Sequence, residues 1–107
     1  MTARALTVRE GYEEYERRTY GRSWTLGELM LGFVGDIGDL AKLVQAREGV
    51  RAIENEQVKL EHELADALWS VIVISARCDV DLDGAFVETM DELDGRLARA
   101  AGSDDPA

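Results

Sequence analysis

The chain has one proline and one cysteine. Proline interrupts helices, and cysteine forms the disulfides that cross-link small secreted domains. Its one proline is Pro106, so no proline interrupts a helix before the end of the sequence. Its one cysteine is Cys78, which excludes a disulfide within the chain and gives no indication of an oxidising compartment. The simplest interpretation of Cys78 is a small buried hydrophobic residue.

The sequence also lacks a long apolar run. The longest, around VIVI at 71–74, is too short to span a bilayer. The N-terminal stretch MTARALTVREGYEEYERR lacks the apolar core that signal peptides have. We therefore predict a cytoplasmic protein with no membrane partner.

Positive charge is scarce, because 12 Lys and Arg residues face 22 Asp and Glu residues and the net charge is -10. A protein that binds the phosphate backbone carries the opposite balance, so we expect no nucleic-acid partner. A polyphosphate could still bind if divalent cations supplied the positive charge. An anionic ligand therefore implies a metal site.

What is present predicts one all-α domain over residues 1–107. The composition, 46% hydrophobic and 32% charged, is ordinary for a globular protein of this length. We expect a folded core over about 5–100 and a disordered tail at 101–107. The apolar periodicity predicts four helices, at about 5–19, 25–48, 54–78 and 81–100.

Local signals refine these helices. Thr25 followed by Glu28 is a capping-box pattern at the start of the second helix. The β-type residues of VIVI could indicate a strand, but no second strand candidate exists to pair with it, so we favour a buried helix. The first helix is charged and amphipathic, with apolar positions at Leu6, Val8, Tyr12 and Tyr15.

Four carboxylates form two pairs with helical spacing, Asp36 with Asp39 and Glu63 with Asp66. Residues three apart lie side by side on a helix. In an antiparallel hairpin of two helices, residues that lie opposite each other have residue numbers with a constant sum. The pair 36 and 66 has the same sum as the pair 39 and 63, so both pairs would lie opposite each other in one hairpin. The turn would then centre on residue 51, close to Gly49, which ends one helical pattern. The sequence thus predicts four carboxylates at one level.

Oxygen ligands gathered in this way suit hard divalent cations, so we expect Mg²⁺ first, with Mn²⁺ able to substitute. Pair by pair, solvated acids on two helix faces explain the pattern as well. The matching height of all four, each beside the apolar stripe, favours a metal site.

Glycines accompany the first acid pair, with Gly32, Gly35 and Gly38 at three-residue intervals. Each interior glycine costs a helix roughly 0.8–1.0 kcal/mol relative to alanine. We interpret Gly35 and Gly38 as places where helices or substrate come close to the backbone. Tight helix packing by small residues is the alternative.

Three segments in order, GDIGDLAKL, HELADALWSVIV and DLDGAFVETMDELDGRL, resemble the all-α, MazG-like nucleoside triphosphate pyrophosphohydrolases. This group includes dimeric dUTPases, dCTP pyrophosphatases and phosphoribosyl-ATP pyrophosphohydrolases, and the likeness covers about residues 25–97. It implies a domain of four-helix-bundle type with a long antiparallel central hairpin. The family pattern E-x-x-E, a spacer and E-x-x-D is changed here, because Asp36 and Asp39 replace the usual glutamates.

The resemblance implies hydrolysis of a nucleoside triphosphate to the monophosphate and pyrophosphate. Its metal ligands would be Asp36, Asp39, Glu63 and Asp66, with Glu63 and Asp66 as catalytic residues. Substrate-binding candidates, which could equally be solvated bases or a packing residue, are Lys42 and Arg96 for the phosphates and Trp24 for the base.

Four helices with a nearly all-apolar third helix leave more apolar surface than one small bundle can cover. We therefore expect a homodimer or a dimer of dimers, as the resemblance also implies. The rival hypothesis is a non-catalytic, degenerate helical module that binds metal or acts as an assembly or regulatory partner.

Overall fold

A computed structural model describes residues 1–102 of the chain. All regular secondary structure of these residues is helical, which confirms the predicted all-α class, and VIVI lies inside the third helix. Most of the predicted disordered tail, 103–107, lies outside the described residues, whereas position 101 still belongs to the last helix. The four helices are α1 (Thr2–Tyr20), α2 (Leu26–Arg47), α3 (Glu56–Arg77) and α4 (Leu82–Ala101).

Glycines and capping side chains set the helix boundaries. Gly21 ends α1 in the left-handed conformation, with φ of 81°, and its N–H donates to the carbonyl of Arg17. Gly49, also at φ of 81°, follows α2. The side chain of Asp81 accepts a hydrogen bond from the N–H of Gly84 at the start of α4.

The predicted capping box at the start of α2 is confirmed. Thr25 Oγ1 accepts from the N–H of Glu28, and the Glu28 carboxylate accepts from the N–H of Thr25. Arg22 donates two hydrogen bonds to the same carboxylate, at 2.6 and 3.0 Å. The Arg22 guanidinium, together with the backbone of Thr25, lowers the pKa of Glu28 to about 2.

Thr25→Ala is expected to destabilise the protein by about 1 kcal/mol, because it leaves an N–H of the first turn without its partner. Chemical denaturation followed by circular dichroism at pH 7, where Glu28 is ionised, measures the change. Thr89→Ala, at an exposed position within α4, is the matched control and should cost nothing. An equal loss in both variants would show that the box does not stabilise α2.

The central element is α3, on which α1, α2 and α4 each pack. Within residues 1–102, these three helices make no close backbone contact with one another. The hairpin of α2 and α3 is antiparallel as predicted, since Asp36 lies beside Asp66 and, at the loop end, Arg47 Nε donates to Glu56 Oε1 at 2.8 Å.

The described chain is open. Its radius of gyration is 18.4 Å, whereas a compact domain of this length has about 13 Å. Among residues 1–102, only Leu43, Ile72 and Val73 are buried hydrophobic residues, while Phe86 and Leu97 on α4 are 61% and 68% exposed. The prediction that one chain leaves apolar surface uncovered is therefore confirmed.

Two expectations about burial were wrong. Cys78 is exposed, because it lies at the C-terminal end of α3, beyond the packed part of the helix. The apolar segment of α3 is buried only on one side, since Ile72 and Val73 are covered but Leu68 is 43% exposed. The open packing of α3 in a single chain explains both.

Within residues 1–102, none of the helices combines the length and the apolar character needed to cross a bilayer.

Candidate metal centre

Three of the four predicted ligands come together between α2 and α3. Asp36, Glu63 and Asp66 each offer a carboxylate oxygen, and these oxygens all lie within 4.8 Å of one another. All three residues are half-buried. The spacing of three residues places Glu63 and Asp66 side by side on α3, and the antiparallel register brings Asp36 across from them.

The fourth predicted ligand, Asp39, lies outside this group and is exposed. The expectation that all four carboxylates meet at one level was therefore wrong for this side chain. Aspartate is one methylene shorter than the glutamate typical of the family pattern, and from one turn further along α2 it does not join the other three. Its charge still acts on Asp36.

The electrostatics of the group favour a cation. Partial burial raises the pKa of Asp36, and the neighbouring charges of Asp66 and Asp39 raise it further. A divalent cation bound between half-buried carboxylates would reduce the electrostatic repulsion among them. Three oxygen donors of this type suit Mg²⁺ or Mn²⁺, so the residues fit the predicted metal.

Asp36→Asn is expected to raise the melting temperature of the metal-free protein at pH 7. Because the folded-state pKa of Asp36 is raised, its contribution to stability is complete below the unfolded value, about 3.9, and is lost as the pH rises through the folded value. The gain should therefore disappear at acid pH, where the wild-type side chain is protonated.

Melts followed by circular dichroism in a chelator, from acid to neutral pH, test this expectation. Asp91→Asn, an exposed position on α4, removes the same charge elsewhere and is the matched control. An equal gain in both variants would attribute the effect to net charge, and a loss in Asp36→Asn would contradict the repulsion.

A cavity of about 360 Å³ adjoins the carboxylates. Its size is within the usual range for small-molecule sites. Asp36 and Asp66 form part of its wall, together with residues of α1, α2, α3 and the connection before α2. The other lining residues are Arg9, Tyr12, Glu16, Trp24, Glu28, Leu29, Gly32, Phe33, Trp69 and Ser70.

The predicted substrate-binding residues are dispersed. Trp24 lines the cavity, and its ring stacks on Tyr20 with centroids 5.2 Å apart. Lys42 is exposed on α2, and Arg96 donates to Glu92 within α4 at 2.6 Å. Lys42 and Arg96 do not line this cavity in the described chain. Their roles, and that of Trp24, stay predictions.

Sequence reasoning missed a buried ion pair in the wall of the same cavity. Arg9 Nη2 donates to Glu16 Oε1 at 2.6 Å, and the N–H of Trp24 donates to the same oxygen at 2.9 Å. The predicted apolar positions Tyr12 and Tyr15 of α1 are instead exposed. The spacing of seven residues, two helical turns, was the available signal that Arg9 and Glu16 share one face.

The glycines do not mark close packing inside the chain. A Cβ atom placed at Gly32, Gly35 or Gly38 would meet nothing within 4 Å in the described structure. The interpretation that helices of one chain approach here was therefore wrong, because no other helix of residues 1–102 packs on this side of α2. Approach by a substrate or by a second chain stays a prediction.

Comparison with known proteins identifies a group of relatives. dCTP pyrophosphatase 1 of Rattus norvegicus is 40% identical over 68 residues, which cover 59% of this chain and 40% of the rat protein. The proteins of the same name from Mus musculus and Homo sapiens are 38% and 37% identical with the same coverage. The chain thus spans about two fifths of the length of these relatives. No protein-family model and no solved structure matches the chain.

The dCTP pyrophosphatases are among the proteins that the order of the three motifs indicated. The predicted resemblance is therefore confirmed.

Proposed function

We propose that this relative of the MazG-like nucleoside triphosphate pyrophosphohydrolases hydrolyses a nucleoside triphosphate to the monophosphate and pyrophosphate, with Mg²⁺ as cofactor and Mn²⁺ able to replace it. The observation that carries the proposal is the group of Asp36, Glu63 and Asp66 beside a cavity of ligand size. The similarity to dCTP pyrophosphatase 1 supports the reaction class and makes dCTP the first substrate to test.

The three grouped carboxylates would hold the cation, and Asp39 would join them through a water molecule. The cation would offset the charge of the phosphates and lower the pKa of a water molecule. Glu63 would orient the attacking water and accept its proton, while Asp66 would fix the geometry beside it. Attack at the α-phosphorus breaks its bond to the bridging oxygen and releases pyrophosphate.

The remaining contacts follow from the resemblance. Lys42 and Arg96 would contact the phosphates, and Trp24 would stack on the base. Trp24 has support from its place in the wall of the cavity. The basic residues would need a second chain or a bound substrate to bring them to the phosphates. The cytoplasmic location stays a prediction of the sequence.

A second copy of the chain would complete the fold. The apolar residues left exposed on α3 and α4 and the radius of gyration of 18.4 Å support a homodimer or a dimer of dimers. Sedimentation equilibrium at micromolar concentration is expected to give at least twice the mass of one chain. The mass of a single chain would contradict the proposal.

Incubation with a panel of canonical and modified nucleoside triphosphates plus Mg²⁺ tests the function. Pyrophosphate and the corresponding monophosphate are the expected products, and a chelator should abolish their release. Orthophosphate as the first product would contradict attack at the α-phosphorus. No release from any triphosphate would favour the non-catalytic module, a reading that the exposed Asp39 would then support.

A further inference from the structure

We propose that Arg9 and Glu16 bind the edge of the substrate's base and select cytosine over uracil. The inference rests on the proposed function and assigns base recognition to two residues that no comparison identifies. Both residues lie in the wall of the cavity that also contacts Asp36 and Asp66. A triphosphate held at the carboxylates would extend its nucleoside into the rest of this space.

The pair is buried and keeps unused hydrogen-bonding capacity. The side chains of Arg9 and Glu16 are only 7% and 4% exposed. Arg9 Nη2 donates to Glu16 Oε1, and the buried Nε lies 3.5 Å from Glu13 Oε1 in an ion pair, whereas Nη1 makes no hydrogen bond to residues 1–102. Because Arg9 lines the cavity, the N–H groups of Nη1 remain available as donors to a ligand there.

Glu16 has a free oxygen for the same purpose. Oε1 already accepts from Arg9 and from the N–H of Trp24. Oε2 accepts no hydrogen bond from the described residues. Oε1 of Glu16 thus holds the backbone of Trp24 in place. Oε2 remains available as an acceptor on the side chain that is paired with Arg9.

The acceptor of Glu16 beside the N–H donors of Arg9 matches the hydrogen-bonding edge of cytosine better than that of the other bases. Cytosine presents the N4 amino group as a donor, followed by N3 and O2 as acceptors, so that Glu16 would accept from N4 and Arg9 would donate to N3 and O2. Uracil has a carbonyl at position 4 and an N–H at position 3, which oppose this order. Adenine lacks the second acceptor, and guanine presents two donors and one acceptor.

The test compares kcat/KM for dCTP and dUTP in the wild-type protein and in Glu16→Gln. The wild type is expected to prefer dCTP, and the variant should lose about tenfold or more of that preference, since its amide can donate to the uracil carbonyl. Glu14→Gln is the matched control on α1, because Glu14 is 52% exposed and forms ion pairs with the exposed side chains of Arg17 and Arg18. The control should keep the wild-type preference.

A purely structural role of Glu16 would lower the turnover of both substrates equally, and an unchanged preference in Glu16→Gln would overturn the inference. If that variant does not fold, the wild-type protein is tested with a dCTP analogue that lacks the 4-amino group. A drop in kcat/KM of about tenfold or more supports the inference, and no drop overturns it. Pyrophosphate release without a preference for dCTP overturns only the inference, whereas no release from any triphosphate overturns the proposed function.

Discussion

Glu63→Gln is expected to lower kcat for pyrophosphate release by about 10²–10⁴-fold, the range that a positioned general base contributes. The substitution keeps the size of the side chain and removes the charge that would accept a proton from the attacking water. Glu63 is half-buried and is the one glutamate in the group of three carboxylates. Asp36 and Asp66 have shorter side chains at other positions, so we expect neither to replace it as the base. Steady-state assays with dCTP and saturating Mg²⁺ measure the change.

The matched control is Glu61→Gln, two residues earlier on α3. Glu61 is exposed and accepts a hydrogen bond from Gln57 at 3.0 Å, outside the carboxylate group. Its variant should retain nearly full activity. A Glu63→Gln variant within a few-fold of the wild type would exclude Glu63 as the base, even if the protein still hydrolyses triphosphates.

Asp66→Asn is expected to weaken Mn²⁺ binding by more than the roughly 10–100-fold lost when a residue that supports a metal ligand is removed. Asp66 provides one of the three grouped oxygens, and its charge contributes to the raised pKa of Asp36. Its loss thus removes a donor and much of the negative field that attracts the cation. Titration calorimetry with Mn²⁺ near neutral pH measures the affinity.

Asp91→Asn is also the matched control for Asp66→Asn, because it removes the same charge at an exposed position on α4. It should bind Mn²⁺ like the wild type. If Asp66→Asn and Asp91→Asn weaken binding to the same small extent, the cation interacts with the overall charge of -10 and not with a defined site.

Local patterns were sufficient to predict the helices and much of the candidate site. The capping box at Thr25 depends on residues three apart, and the spacing within each acid pair also depends on helical geometry alone. The height of Asp36 relative to Asp66 followed from a short connection, because a tight hairpin fixes the register of its two helices. These features require no knowledge of distant contacts.

Features that depend on packing between separate elements were not predictable in this way. The position of Asp39 depends on side-chain length and on which face of α2 is left open. The burial of Arg9 and Glu16 depends on how α1 lies on α3 and on the loop that carries Trp24. The open space at Gly35 depends on the absence of a neighbouring helix from the described chain.

The most direct measurement of the central claim is a crystal structure with millimolar Mn²⁺, with the ion located by its anomalous scattering. The account predicts an anomalous peak among the carboxylates of Asp36, Glu63 and Asp66, and the loss of this peak in crystals of Asp66→Asn. A map with no peak between these side chains, while the three carboxylates face solvent, would contradict the metal site and the hydrolysis proposed from it.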